Sequence, residues 1–234
     1  MSSLTIGLVT FPQLTQLDLT GPYEVFARMP GARPLLVADS RDPVPSERGL
    51  RLLPDATFDD APPLDVLFVP GGPGVGPAME HERLLAYCAR EGARAQWVTS
   101  VCTGTLVLGA AGLLRGRRAT THWLSLDLLA PFGAIPTRER VVLDGNRVTG
   151  GGVTAGIDFA LHLAAILHGP RVAQSIQLLL EYDPAPPFDA GSPATAPADL
   201  VDEIAAARRG IQAERAAIVA RAAARLRARG EAPV

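Results

Sequence analysis

The stretch AQWVTSVCTGTLVLGAAGLL (95–114) decides how the rest of this chain is read. Residues 95–101 form a short apolar run of strand length, and 103–114 a run rich in Leu, Val, Gly and Ala that suits a closely packed helix. Cys102 stands at the join. A strand that passes into a helix across one residue is the geometry of a nucleophile elbow, in which a sharp turn projects a side chain above a sheet. The following helix directs unpaired N–H groups and its positive dipole end at the sulfur. Both favour thiolate, so the Cys102 pKa is expected below the ordinary value of about 8.5. Gly104, two residues on, allows close approach. The competing reading is a small buried core residue, common for free cysteines. The strand–Cys–helix context favours the nucleophile.

Outward from that join, strand and helix signals alternate. LTIGLVTF (4–11) is an apolar run closed by Pro12 and predicts a buried first strand. In DLTGPYEVFARM (18–29), Asp18 or Thr20 caps a predicted helix over Tyr23–Met29. RPLLVADS (33–40) predicts a second strand, 49–60 a short strand or hairpin with a loop, and Leu64–Val69 a buried strand that stops at Pro70-Gly71-Gly72. The 79–93 stretch has helical spacing. RRATTHW (117–123) predicts a short strand, 124–132 a helix, and 137–152 a hairpin turning at Asp144-Gly145-Asn146. Two helices follow over 154–169 and 171–182, then a Pro-rich segment (183–197) and a long Ala/Arg-rich amphipathic helix (198–230). This alternation predicts an α/β fold with a doubly wound, mostly parallel sheet covered on both faces. Sites in such sheets gather at the carboxyl ends of the strands. Asp18, Gly72, Cys102 and His122 each follow a predicted strand, so that rule collects them in one place.

Composition removes several classes of chemistry. The 22 basic residues are all Arg, which excludes a Schiff-base lysine, a Ser-Lys dyad and a P-loop lysine. The formal net charge is -2, and no basic block points to nucleic acid. Two cysteines among 234 residues make no disulfide framework and fit a reducing, cytoplasmic setting. The start, MSSLTIGLVTFPQ, has no charged n-region and no cleavage site, so no signal peptide is expected. No apolar run is long enough to cross a membrane.

Several further residues carry candidate chemistry. Asp18 is either a helix cap or a carboxyl group above the sheet near the thiol, where partial burial would let it donate a proton. The Thr103 hydroxyl reaches a reacting group or satisfies helix backbone. PGGPGVG (70–76) lacks the lysine of a phosphate loop; Gly72 instead offers a bare N–H to developing negative charge. GGGVTAGID (150–158), with Gly152 and Val153, walls the same pocket or forms a simple tight turn. His122 makes a Cys-His pair conceivable. Cys88 lies inside a predicted helix as core filler, and His81, His162 and His168 lack metal-like spacing, so no metal is expected.

FPQLTQLDLTGPYEVF (11–26), DVLFVPGGPGVG (65–76), VTSVCTGTLVLGAAGLLRGRRATTHW (98–123) and VTGGGVTAGIDFAL (148–161) together resemble the ThiJ/PfpI superfamily, and within it the isocyanide hydratase branch. EYDPAPPFDAGSP (181–193) is similar to that branch as well. The resemblance implies a flavodoxin-like sandwich, usually homodimeric, with residues 1–195 as the domain and 196–234 as a helical extension packed on it or on a partner. It implies Cys102 as nucleophile and Asp18 as the neighbouring acid, where many members carry Glu. Protease- and deglycase-like members often have His after the cysteine; Thr103 here argues against a Cys-His triad.

The activity implied is hydration of a small-molecule isocyanide to an N-formamide. Cys102 would attack the terminal carbon, Asp18 would supply the proton, and water would hydrolyse the resulting thioimidate. Thr103 and the Gly72 N–H would orient substrate or water, with His122, Gly152 and Val153 around the substrate. No cofactor, nucleic acid or membrane is required. Two rivals remain open, beside the possibility of a structural dimer with an idle thiol. One is another cysteine activity of the superfamily, glyoxalase- or amidase-like, which His122 keeps in play. The other is the ligand-sensing domain of AraC-type regulators. That reading lacks room for a helix-turn-helix module, because only one long helix bearing Asp199, Asp202, Glu203, Glu214 and Glu231 follows Pro197.

Overall fold

The computed structural model describes residues 4–230. The first three residues and 231–234, including Glu231, lie outside that range, so the outer limits expected for the domain and its extension fall beyond it. Seven strands form the main sheet: β1 (Leu4–Val9), β2 (Ala32–Ala38), β3 (Ala56–Thr57), β4 (Val66–Val69), β5 (Trp97–Val101), β6 (Val141–Asp144) and β7 (Arg147–Gly150). Their order across the sheet is β6-β7-β5-β4-β1-β2-β3. Every neighbouring pair is parallel except the β6–β7 hairpin, where Asp144 faces Arg147 across the turn. All four residues of β4 are buried, as are the last four of β1 and β5. Strands covered on both faces read as continuous apolar runs, which is why they are visible in the sequence.

The helices are α1 (Gln16–Phe26), α2 (Glu82–Arg94), α3 (Gly104–Ala110), α4 (Ala155–His168), α5 (Pro170–Leu179) and α6 (Ala198–Ala228). α1, α4 and α5 pack together, and α3 contacts α2 and α6. Phe26 of α1 meets both Phe68 of β4 and Phe159 of α4 edge-on at 5.9 Å, while Phe68 and Phe159 stack at 5.5 Å. Each fully buried Phe contributes roughly 1.5–3 kcal/mol. This trio fixes α1, and so Asp18, against the sheet. The carboxyl half of α6 buries Ile218, Val219, Ala222, Ala223 and Leu226 on the body.

Three expectations are corrected. α1 begins at Gln16 with Thr15 as its N-cap and runs through Pro22, so neither Asp18 nor Thr20 caps it. Asp18 sits inside the first turn. The 117–123 strand shrinks to Arg118–Ala119, which pairs with Ile135–Pro136 in a separate two-residue ribbon. His122 therefore does not follow a strand of the main sheet. Residues Trp123–Phe132 form a 3-10 helix, with Pro131 inside it and Gly133 in the left-handed region at its end.

Candidate active site

Cys102 occupies the turn between β5 and α3 and is nearly buried, at 5% exposure. Its φ is 53°, in the left-handed region that non-glycine residues rarely adopt. Such a conformation costs on the order of 1–3 kcal/mol and persists where its surroundings over-determine it. Here they do. The Cys102 N–H donates to Gly151 O at 2.7 Å, and its carbonyl accepts from the Thr121 hydroxyl at 2.6 Å. Gly104 lets α3 start hard against the end of the neighbouring strand β4, since a Cβ there would lie 2.3 Å from the Val69 carbonyl oxygen.

Asp18, fully buried, faces the thiol from the first turn of α1. Its Oδ2 accepts from the Gly71 N–H at 2.9 Å, and its Oδ1 has no partner among the described residues. Gly71 is sterically required: a Cβ on it would stand 2.7 Å from Asp18 Oδ2 and 2.6 Å from the Thr103 nitrogen. Thr103 completes the group. Its hydroxyl accepts from the Gly72 N–H at 3.0 Å, leaving its own proton for the sulfur or for Gly72 O, 3.3 Å away. The Gly72 N–H is thus engaged by Thr103 and is no bare donor awaiting negative charge.

Burial governs the electrostatics. Desolvation raises the Asp18 carboxyl to about 7, against hydrogen bonds to Cys102 and Gly71 that favour its charged form; Glu47 adds to the rise. Burial, and then the Asp18 charge, push the Cys102 thiol well above its usual range. The Thr103 N–H and hydroxyl act in the opposite direction and lose. This runs against the expectation of a lowered thiol pKa: in a buried site beside a carboxyl group, desolvation outweighs the helix terminus. Two acids in contact titrate as a pair, and the second negative charge is the costly one. Above about 7, with Asp18 ionised, the pair holds a single proton.

A cavity of about 510 Å³ lies next to the turn that holds Cys102, with His122, Trp123, Gly152, Val153 and Pro193 in its wall, but none of Cys102, Asp18 and Thr103. Thr121 and Gly151 line it as well, and these same residues hold the Cys102 carbonyl and N–H. His122 Nδ1 accepts from Leu124 N at 3.3 Å and caps the 3-10 helix. Burial, then Arg215 and Arg208, hold its pKa down, so it is neutral at pH 7. No hydrogen bond joins it to Cys102 among the described residues. The predicted residues thus divide in two: Cys102, Asp18, Thr103 and Gly72 form one contact group, and His122, Gly152 and Val153 line the cavity beside it.

The model of the DJ-1/PfpI family matches residues 5–166. The chain belongs to the DJ-1/PfpI family. Within it, the chain is 57% identical over 227 residues to the isonitrile hydratase of Pseudomonas putida, covering 97% of this chain and 100% of that one. The crystal structure of a ThiJ/PfpI family protein from Pseudomonas syringae superimposes with a TM-score of 0.91 at 47% identity, covering 94% of this chain and 91% of that one. A helix-turn-helix transcriptional regulator of Pseudomonas aeruginosa is 37% identical, over 58% of this chain but only 37% of its own length.

Four residues that meet around this group and the cavity beside it were not singled out in the sequence. Gly71 was adjacent to the glycine singled out, and only its closeness to Asp18 sets it apart. Thr121 carries no local signal beyond its place before His122. Ser125 and Arg215, 90 positions apart, meet at 3.1 Å beside the cavity, which no local pattern announces. No helix among the described residues is long and apolar enough to cross a membrane.

Proposed function

We propose that the protein is an isocyanide hydratase, converting R–N≡C and water to the N-formamide R–NH–CHO. The observation that carries this is the 57% identity to an isonitrile hydratase along nearly the whole chain. The contact group of Cys102, Asp18 and Thr103 supplies chemistry that suits it. The shared proton is the centre of the mechanism. As the isocyanide carbon reaches Cys102, the sulfur bonds to it and Asp18 delivers the pair's proton to the same carbon. This forms a thioimidate, R–N=CH–S–Cys102, and leaves Asp18 as carboxylate. Asp18 then takes a proton from water as the oxygen adds to the carbon, and passes it to nitrogen. Finally Asp18 removes the hydroxyl proton as the C–S bond breaks, releasing formamide and restoring the single shared proton. The Gly71 N–H holds the carboxylate throughout, and Thr103 steadies the sulfur. His122, Gly152 and Val153 contact the substituent R.

Neither rival is favoured. The match to the transcriptional regulator covers little more than a third of that protein, and in this chain α6 is a single helix. A Cys-His activity finds His122 committed to capping. We also propose self-association of a unit in which 196–234 extends the 1–195 domain. Leu178, Leu179 and Phe188 are 80%, 76% and 78% exposed, apolar surface that association would cover. Two free thiols fit a cytoplasmic setting.

The test is incubation with an aryl isocyanide beside a Cys102→Ser control. Formamide from the wild type alone supports the assignment. A Cys102 that is readily alkylated without any formamide formation overturns it and moves the search to glyoxal and amide substrates.

A further inference from the structure

Asp158, in the first turn of α4, is a half-buried carboxylate that the mechanism above does not use. Both of its oxygens are engaged. Oδ1 accepts from the Tyr182 hydroxyl at 2.9 Å, and Oδ2 accepts from the Arg140 Nε–H in an ion pair. The same guanidinium donates through Nη2 to Thr154 Oγ1 at 3.3 Å, at the N-cap of α4. One carboxylate therefore ties the residue before β6, the start of α4 and the turn after α5 to one another.

Tyr182 is delivered by a strained cap. The Glu181 N–H donates to Leu178 O and the Tyr182 N–H to Gln177 O, both at 3.0 Å. This pair of bonds ends a helix through a residue in the left-handed region, where glycine is usual. Here that residue is Glu181, at φ 48°. A non-glycine residue keeps such a conformation only where its surroundings hold it. Tyr182 lies beyond residue 166, where the family match ends.

The other end of this strut reaches the nucleophile. The Arg140 carbonyl accepts from the Gly151 N–H at 2.9 Å, one step beyond the β6–β7 ladder. The Gly151 carbonyl in turn accepts from the Cys102 N–H at 2.7 Å. Contacts thus run from Tyr182 through Asp158, Arg140 and Gly151 to Cys102 without a gap. Arg140, Gly151 and Thr154 also line the cavity, whereas Tyr182 and Asp158 do not.

We propose that Tyr182 and Asp158 are positioning residues for Cys102: through Arg140 they pin the Gly151 carbonyl, and so keep the nucleophile in its left-handed turn with the sulfur beside Asp18 and Thr103. An exposed ion pair adds little to stability, so the strut acts on turnover more than on unfolding. Once the strut is cut, Cys102 relaxes toward ordinary backbone angles, and its sulfur gains water and draws away from Asp18. Burial and the Asp18 charge are what push the thiol up, so it then ionises more readily. The inference rests on the nucleophile assigned to Cys102 above, not on the identity of the substrate.

The experiment makes Tyr182→Phe and Asp158→Asn, separately and together, in a Cys88→Ala background with a single thiol. It follows formamide production from an aryl isocyanide and, apart from that, alkylation of Cys102 by iodoacetamide from pH 6 to 10. Each variant should lower kcat about three- to tenfold with KM within about twofold of the parent. The double variant should be no worse than the poorer single one, because both act through one carboxylate. Alkylation should move the opposite way, becoming about threefold faster or more at pH 7.5. Unchanged kcat and alkylation in folded Tyr182→Phe protein overturn the proposal. A lower kcat with unchanged alkylation overturns the link to Cys102, and a raised KM at constant kcat assigns the network to substrate binding instead. Should Asp158→Asn fail to fold, Tyr182→Phe, which loses one hydroxyl, carries the test alone. Alkylation uses no isocyanide, so a parent that makes no formamide sinks the hydratase reading only. Faster alkylation in the variants then still supports the strut, and equal rates overturn it. A thiol inert in the parent sinks both.

Discussion

Asp18 shows most directly how position sets chemistry. A carboxylate in the first turn of a helix is ordinarily stabilised by the helix dipole. Here burial overrides that effect and brings the carboxyl to about 7. Because the folded value lies above the unfolded one, the native state binds more protons between pH 4 and 7, and stability falls as pH rises through that window. Asp18→Asn removes the ionisation. It should be more stable than the wild type at pH 8, by on the order of 2–4 kcal/mol, with the difference vanishing near pH 4 in denaturant titrations. The same variant should lose hydration, since Asn can neither deliver nor accept the shared proton. In the wild type, kcat/KM should fall about tenfold per pH unit below about 7, where the pair becomes fully protonated. A flat profile down to pH 5 would contradict the shared-proton mechanism. Gly71→Ala should abolish activity through its collision with Asp18 and Thr103, and the soluble fraction of the variant will show whether folding fails too.

At the scale of elements, the elbow depends on clamps from distant segments. Thr121 supplies one of them, a hydroxyl on the Cys102 carbonyl. Thr121→Val leaves that carbonyl without this donor and should cost about 1–3 kcal/mol in thermal or chemical unfolding, with a larger proportional loss of turnover than of stability. The legibility of the elements follows the same division between local and distant. β1, β4 and β5 stand out as apolar runs bounded by Pro or Gly, and the β5–Cys102–α3 junction is wholly local, so one short stretch discloses it. The start of α1 is not legible. Pro22 reads as a boundary, while in the structure the helix passes through it and takes Asp18 into its first turn. The ribbon at Arg118–Ala119 has strand character but no place in the main sheet, and only tertiary packing decides that. The thiol misleads for a different reason: dipole arguments describe a solvated helix end, and this one is buried.

Across the whole molecule, Leu178, Leu179 and Phe188 are the most exposed large apolar side chains among the described residues. Light scattering should show a dimer, and Leu178→Glu with Leu179→Glu should shift it toward monomer without unfolding the chain. Concentration-independent monomer in the wild type would remove the self-association proposed above. The path of α6 has a consequence in time. It is the last element of the described chain, yet it lies against the 3-10 segment beside the site. Synthesis at about 5–20 residues per second brings out β5, Cys102 and the rest of the sheet before α6 exists. A nascent chain can therefore close its core around Cys102 before the helix that lies against the 3-10 segment is present. The 3-10 segment beside the cavity thus gains the cover of this helix only after the sheet and the Cys102 turn have been synthesised.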